Sequence, residues 1–165
     1  MSRENQLDIT EMFKQGEIEQ LTDLLLNFPS ILNQQNENGD YLAHIAAQYG
    51  RSELIMLMAR LSYNFNKYFN CLGYLPVHTA CHYQQFDCLI ALKLSGADLN
   101  AITESDFLTP LHIACITGSL PIVRYLLREN VQWNVVDLYG RTPGKLALIH
   151  NNLSAADEIF NYSRS

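Results

Sequence analysis

Long apolar runs are missing from this chain. No segment approaches the roughly 18 consecutive apolar residues that a bilayer-spanning helix requires. The amino terminus, Met-Ser-Arg-Glu-Asn-Gln, lacks the apolar centre of a secretory signal. Cations are also few: 11 Lys and Arg stand against 17 Asp and Glu, for a net charge of −6, and they are scattered. A nonspecific nucleic-acid binder displaces counterions with a basic face, which this balance disfavours. A chain that is 48% hydrophobic and 17% charged does not have the composition of a disordered one. These absences predict a soluble, cytosolic domain with no nucleic acid and no membrane among its partners.

Catalytic signatures are absent as well. There is no Gly-x-Ser-x-Gly, no His-Glu-x-x-His and no dinucleotide fingerprint. Gly140 to Lys145 superficially suggests a phosphate loop. It has one residue too few between its glycines, and Leu146 stands where a magnesium-binding hydroxyl belongs. No enzyme activity and no cofactor are expected.

What the chain has is repetition, and Leu108 to Leu127 is its template. Thr109 and Pro110 start a helix, the first by capping free amides and the second by its preset φ. Leu111, Ala114 and Cys115 share a face, and Gly118 ends the helix where positive φ is needed. Leu120, Ile122, Val123, Leu126 and Leu127 form the stripe of a second helix. One such helical hairpin cannot bury its own apolar face and needs copies beside it. Those copies exist. His44, His78 and His112 are 34 residues apart, and Ala46-Ala47, Ala80-Cys81 and Ala114-Cys115 follow them at one offset. Gly16, Gly50, Gln84, Gly118 and Asn151 recur at the inter-helix turn, and Asn66, Asn100 and Asn134 end units.

This period, with its Thr-Pro-Leu-His signature, resembles the ankyrin repeat over nearly the whole chain. The resemblance implies an all-α solenoid of stacked helix-turn-helix units joined by short β-hairpin fingers. It would form one domain over 1–165, with repeats near 6–33, 34–66, 67–100, 101–134 and 135–163. Ten helices are expected near 6–14, 17–28, 42–49, 52–61, 76–83, 86–95, 110–117, 120–129, 143–150 and 153–162.

The units depart from their signature in ways that carry expectations. In the first, Leu7, Met12 and Phe13, then Ile18, Leu21, Leu24, Leu25 and Leu26, should face inward, leaving Glu4, Asp8, Glu11, Lys14 and Glu19 outside. Tyr41 and Leu75 replace the capping threonine. Phe107 replaces a finger glycine, and since phenylalanine avoids positive φ that turn should take another shape. Asn66 to Gly73 and Asn100 to Phe107 each carry one residue more than the other fingers, which predicts two bulged or lengthened tips. Asp157, Glu158 and Asn161 suggest a polar closing cap, and Trp133 should pack under a turn. Cys81, Cys88 and Cys115 sit at small core positions, and equivalent sites in adjacent repeats lie about a helix diameter apart, roughly 10 Å, too far to bridge. Cys71 is the one thiol expected to be exposed, and reduced cysteines fit a reducing compartment.

His78, Cys81 and His82 have the i, i+3, i+4 spacing of zinc ligands. His112 and Cys115 reproduce the first pair one unit later, as repetition predicts and a unique metal site does not. No metal is therefore expected, and the histidines resemble the family's ring that orders the hairpin by hydrogen bonding.

The resemblance also implies a partner-binding face formed by the hairpin tips and first helices, on the concave side. Its positions here include Tyr49, Leu72, Tyr74, His82, Tyr83, Asp106, Leu108, Ile116, Leu138, Tyr139 and Arg141, with Phe107 and Tyr68-Phe69 extending it. The expected function is non-catalytic: a protein, monomeric when free, that binds and modulates a partner protein as an inhibitor or a pathogen effector. Its compartment would be the cytosol, a host's in the effector case. A metalloprotein or enzyme on the same scaffold, or the recognition subunit of a larger assembly, are the alternatives.

Overall fold

The computed structural model describes residues 9–164. Ten α-helices follow in antiparallel pairs: α1 (Ile9–Gln15) with α2 (Ile18–Asn27), α3 (Leu42–Gln48) with α4 (Ser52–Arg60), and α5 (Pro76–His82) with α6 (Phe86–Leu94). Then come α7 (Pro110–Thr117) with α8 (Leu120–Arg128), and α9 (Pro143–Ile149) with α10 (Leu153–Tyr162). First helices stack on first helices, α3 on α5 on α7 on α9, and second helices run as a parallel row beside them. The chain is an all-α solenoid. Glu4, Leu7 and Asp8 lie outside the described residues.

Three series of left-handed positions recur along the stack. The inter-helix turn has positive φ at Gly16, Gly50, Gln84, Gly118 and Asn151. The finger tip has it at Gly39, Gly73, Phe107 and Gly140. A third series, Ser62, Gly96 and Asn130, follows the second helices and was not evident in the sequence, because serine, glycine and asparagine share no side-chain chemistry. Phe107 thus adopts φ 57°, contrary to expectation. Its finger closes between Thr103 N–H and the Leu108 carbonyl, one residue wider than the Asn36–Asp40, Asn70–Tyr74 and Asp137–Arg141 closures.

Only the fourth unit's finger is therefore lengthened at its tip. In the third, the extra residue precedes the tip, where Tyr68 and Phe69 pack back against the core instead of extending outward. The fingers are hairpin-shaped, but the described residues form no named strand; Gln35 and Tyr41 make an isolated antiparallel bridge.

The core runs unbroken from Met12 and Phe13 to Ile159. Side chains such as Leu21, Leu25, Ile55, Leu89, Leu111 and Ile122 are fully buried, each contributing about 1.5–3 kcal/mol. Leu26 is not among them: at 3.6 residues per turn it lies one step off the Leu21–Leu25 line, and it is 55% exposed. The closing cap is less polar than expected too. Among the described residues no helix pair packs on the far side of α9 and α10. Leu148, at the position of buried Cys115, is consequently 49% exposed and Phe160 40% exposed. Trp133 is half-buried against the core. Cys81, Cys88 and Cys115 are buried free thiols and Cys71 is exposed; burial pushes the Cys115 thiol up to about 12.

Candidate protein-binding face

Each finger is built by one short polar side chain at its start. Asn36 Oδ1 accepts the backbone N–H groups of Asn38 and Asp40, and Asn70 Oδ1 accepts those of Leu72 and Tyr74. Asp137 Oδ1 does the same for Tyr139 and Arg141. In the wider fourth finger, Thr103 Oγ1 accepts from Leu108 N–H at 3.0 Å. Such side chains mimic a backbone turn. Sequence reasoning missed them; the signal was a short polar residue four or five positions before the residue that precedes each helix cap.

Histidines then tie the third, fourth and fifth units' fingers to the preceding first helix. His78 Nδ1 accepts Leu75 N–H, so its Nε2–H donates to the Ala101 carbonyl at 3.0 Å. His112 Nδ1 accepts Thr109 N–H, and its Nε2–H donates to the Arg141 carbonyl at 3.1 Å. His44 Nε2 lies 2.8 Å from the Tyr74 carbonyl. Burial pushes His78 down to about 4 and lowers His44 and His112, so all three rings are neutral near pH 7. With both nitrogens of His78 engaged and Cys81 fully buried, that helix cannot present the zinc-like trio to an ion. Among the described residues no group of three His, Cys, Asp or Glu side chains could hold a metal.

The fingers join into one edge. Glu104 N–H donates to the Gly73 carbonyl, and Leu138 N–H to the Asp106 carbonyl. Between the second and third units the links are side chains: Cys71 Sγ lies 2.9 Å from the Asn38 carbonyl, and Asn70 Nδ2 donates to Asp40 Oδ1 at 2.7 Å.

The structure brings some of the expected face residues together. The Tyr74 and His82 rings are 6.0 Å apart and those of His82 and Tyr83 5.0 Å apart, each pair edge-on. Burial raises the Tyr74 phenol, and the nearby Asp106 carboxylate and Tyr83 raise it further. Leu72 is 60% and Tyr83 46% exposed, whereas Tyr74 and Asp106 are half-buried. Leu138 and Tyr139 are exposed on the fifth unit's finger, where Arg141 covers the Tyr139 ring at 4.6 Å and pairs with Asp137 at 2.7 Å. Tyr49, capping the end of α3, and Ile116, on α7, are half-buried. Leu108 does not belong to the face: the wider fourth finger turns it into the core, and it is 8% exposed. Phe107 takes the outward place beside it, 42% exposed. Tyr68 packs on Tyr41, ring centroids 4.9 Å apart, and does not extend the face.

Comparison with known proteins agrees with this architecture. The ankyrin-repeats family profile, three copies, matches residues 11–103 and 90–164. Among curated proteins, a tyrosine-protein kinase, HTK16 of Hydra vulgaris, is 27% identical over 132 residues, covering 79% of this chain and 17% of the kinase. The target of rapamycin complex 2 subunit AVO2 of Saccharomyces cerevisiae is 32% identical over 92 residues, 55% of this chain and 21% of that subunit. A putative ankyrin repeat protein of Escherichia coli, YahD, is 28% identical over 131 residues, 78% of this chain and 62% of its own length. The chain thus spans less than two thirds of each of these relatives.

Proposed function

The chain belongs to the ankyrin-repeat family, and from that premise we propose that it is a non-catalytic protein that binds a partner protein through its fingers and first helices, on the concave side. Ankyrin repeats indicate a protein–protein interaction module. The observation that carries the choice of face is the partly exposed Tyr74–His82–Tyr83 cluster beside exposed Leu72. Exposed apolar area of this kind marks interaction sites, and tyrosines are preferred anchors. Relatives that are named as complex subunits, such as AVO2, support an assembly role without naming a partner for this chain. Binding would modulate the partner, as a stoichiometric inhibitor or an effector does, with the free protein a monomer in the cytosol.

The test begins with affinity purification from native cytosol and mass spectrometry to recover the partner. Tyr74→Ala and Tyr83→Ala should each weaken its binding by on the order of 2 kcal/mol, with folding checked by thermal melt. Unchanged affinity in a folded double variant would place the partner elsewhere, most simply on the second helices.

A further inference from the structure

The same face has a charge character that narrows its partner. The finger tips carry Glu37, Asp40, Glu104 and Asp106, and none of these four is in a salt bridge among the described residues. The one cation at a tip, Arg141, is already held by Asp137 and lies over the Tyr139 ring. Lys67, at the base of the third unit's finger, sits over the Tyr68 ring at 4.8 Å. Among the described residues the Tyr74 and Tyr83 rings and the four carboxylates thus have no cation of the chain's own over or against them. The Glu104 N–H bond to the Gly73 carbonyl sets the Asp106 finger beside the Tyr74 finger, where Asp106 acts electrostatically on the Tyr74 phenol.

A guanidinium suits this pairing better than any other side chain. It is planar, it stacks on aromatic faces, and its fork matches a carboxylate bidentately. Lysine offers only a compact, strongly hydrated point charge. An acidic segment would meet like charge along the whole finger edge, and the chain's net charge of −6 would slow its approach.

Resting on the reading that this face binds a protein, we propose that the partner presents a basic segment whose arginine sets its guanidinium on the Asp106 carboxylate and against the Tyr74 and Tyr83 rings, while a neighbouring apolar side chain covers Leu72. Specificity then comes from arginine rather than from positive charge alone. The second helices offer an open apolar groove between α4 and α6, about 340 Å³ and rimmed by Glu53 and Asp87, but it contains no aromatic residue for a guanidinium to stack on.

The experiment uses the whole chain and three synthetic peptides of equal length, carrying arginine–leucine, lysine–leucine or glutamate–leucine pairs. Binding is followed by amide NMR shifts and fluorescence anisotropy. The arginine peptide should shift residues 72–74, 82–83 and 104–107. It should bind about threefold tighter than the lysine peptide, and the glutamate peptide should not bind. Asp106→Asn should weaken the arginine peptide about five- to tenfold, and less so at high salt. Glu37→Gln, at the far end of the edge, should change little, and Tyr83→Ala gives an independent variant should Asp106→Asn melt early. Equal binding of the arginine and glutamate peptides at these residues would overturn the arginine assignment while leaving the face intact. So would lysine matching arginine. An arginine peptide that shifts only the second helices, or no binding by any peptide, overturns the proposal as well. The reading of the face itself fails separately, when the recovered partner ignores the Tyr74–Tyr83 double variant.

Discussion

Helices α7 and α3 occupy equivalent places in the stack and reach the same result by different chemistry. Before α7, the Thr109 hydroxyl accepts the His112 backbone N–H while His112 Nδ1 accepts Thr109 N–H, a reciprocal box that satisfies two orphan donors. Before α3, Tyr41 has no oxygen within reach of the helix amides and makes no side-chain cap. His44 Nδ1 is buried without a partner among the described residues. What both units keep is the Nε2 contact to the next finger, Arg141 in one case and Tyr74 in the other. A lost cap costs about 1 kcal/mol. The Tyr41–Tyr68 ring pair, which α7 has no equivalent of, is worth about 0.5–1.5 kcal/mol. The two are comparable, so the α3 unit exchanges a cap for aromatic packing at little net cost. The lesson is that the tie between units is the indispensable part, and the local cap is replaceable.

Acid should break both units, with the largest effect. His44, His78 and His112 are neutral in the folded protein, with His78 pushed down to about 4. An unfolded histidine takes up its proton near 6.5. Between about 6.5 and 4 the unfolded state therefore binds more protons, and stability falls as pH falls. His78 contributes a slope of up to about 1.4 kcal/mol per pH unit over that window, and the lowered His44 and His112 add to the loss below about 6.5. Urea midpoints measured across that window should show the loss, and His78→Gln should flatten it. A midpoint that does not move with pH would mean the rings are not held neutral.

The inter-helix turns allow a sharper contrast. Gly118 has φ 72°, and a Cβ there would stand 2.6 Å from Asn152 Oδ1. The Asn152 amide donates to the Cys115 and Ile116 carbonyls at the end of α7. Gly118→Gln should thus cost about 2–3 kcal/mol in chemical denaturation, although glutamine is the native residue at the matching turn.

The caps should differ as the comparison requires. Thr109→Val should lower stability by about 1–2 kcal/mol. Tyr41→Thr gains a cap and loses a ring pair, so its melt should stay within about 0.5 kcal/mol of the parent. A large gain from Tyr41→Thr would show that the aromatic substitute contributes nothing. The smallest effect is expected from Gln84→Gly. It relieves about 1 kcal/mol of left-handed strain at φ 57° and loses about 0.4–1 kcal/mol to the freedom glycine adds to the unfolded chain, so the net gain should stay under about 0.5 kcal/mol.

Much of this was legible beforehand because ankyrin units are short and local. Thr109-Pro110, Gly118 and the stripe from Leu120 to Leu127 each act within one or two turns of helix, so the helix ends followed from the residues themselves. The face was legible only in part. Tyr74, His82 and Tyr83 converge because His82 ends α5, Tyr83 caps it and Tyr74 shortly precedes its start. Leu108 was misplaced because its direction depends on where one extra residue is absorbed. Thr103 closes a wider tip and turns Leu108 inward, whereas in the third unit the extra residue is taken up before the tip by Tyr68 and Phe69. A residue count locates an insertion without saying which bond yields to it.

The sequence by itself determined the number of helices, their order and the identity of the stacking histidines, since periodicity and capping are properties of neighbouring residues. Tertiary structure alone decided which side chain substitutes for a missing cap and which finger widens. It also decided whether an apolar residue at a unit's edge is covered. Cys115 and Leu148 hold the same register, yet one is buried and the other 49% exposed. The difference lies in the neighbouring unit, because in a solenoid each unit's apolar face is buried by the next one in the stack.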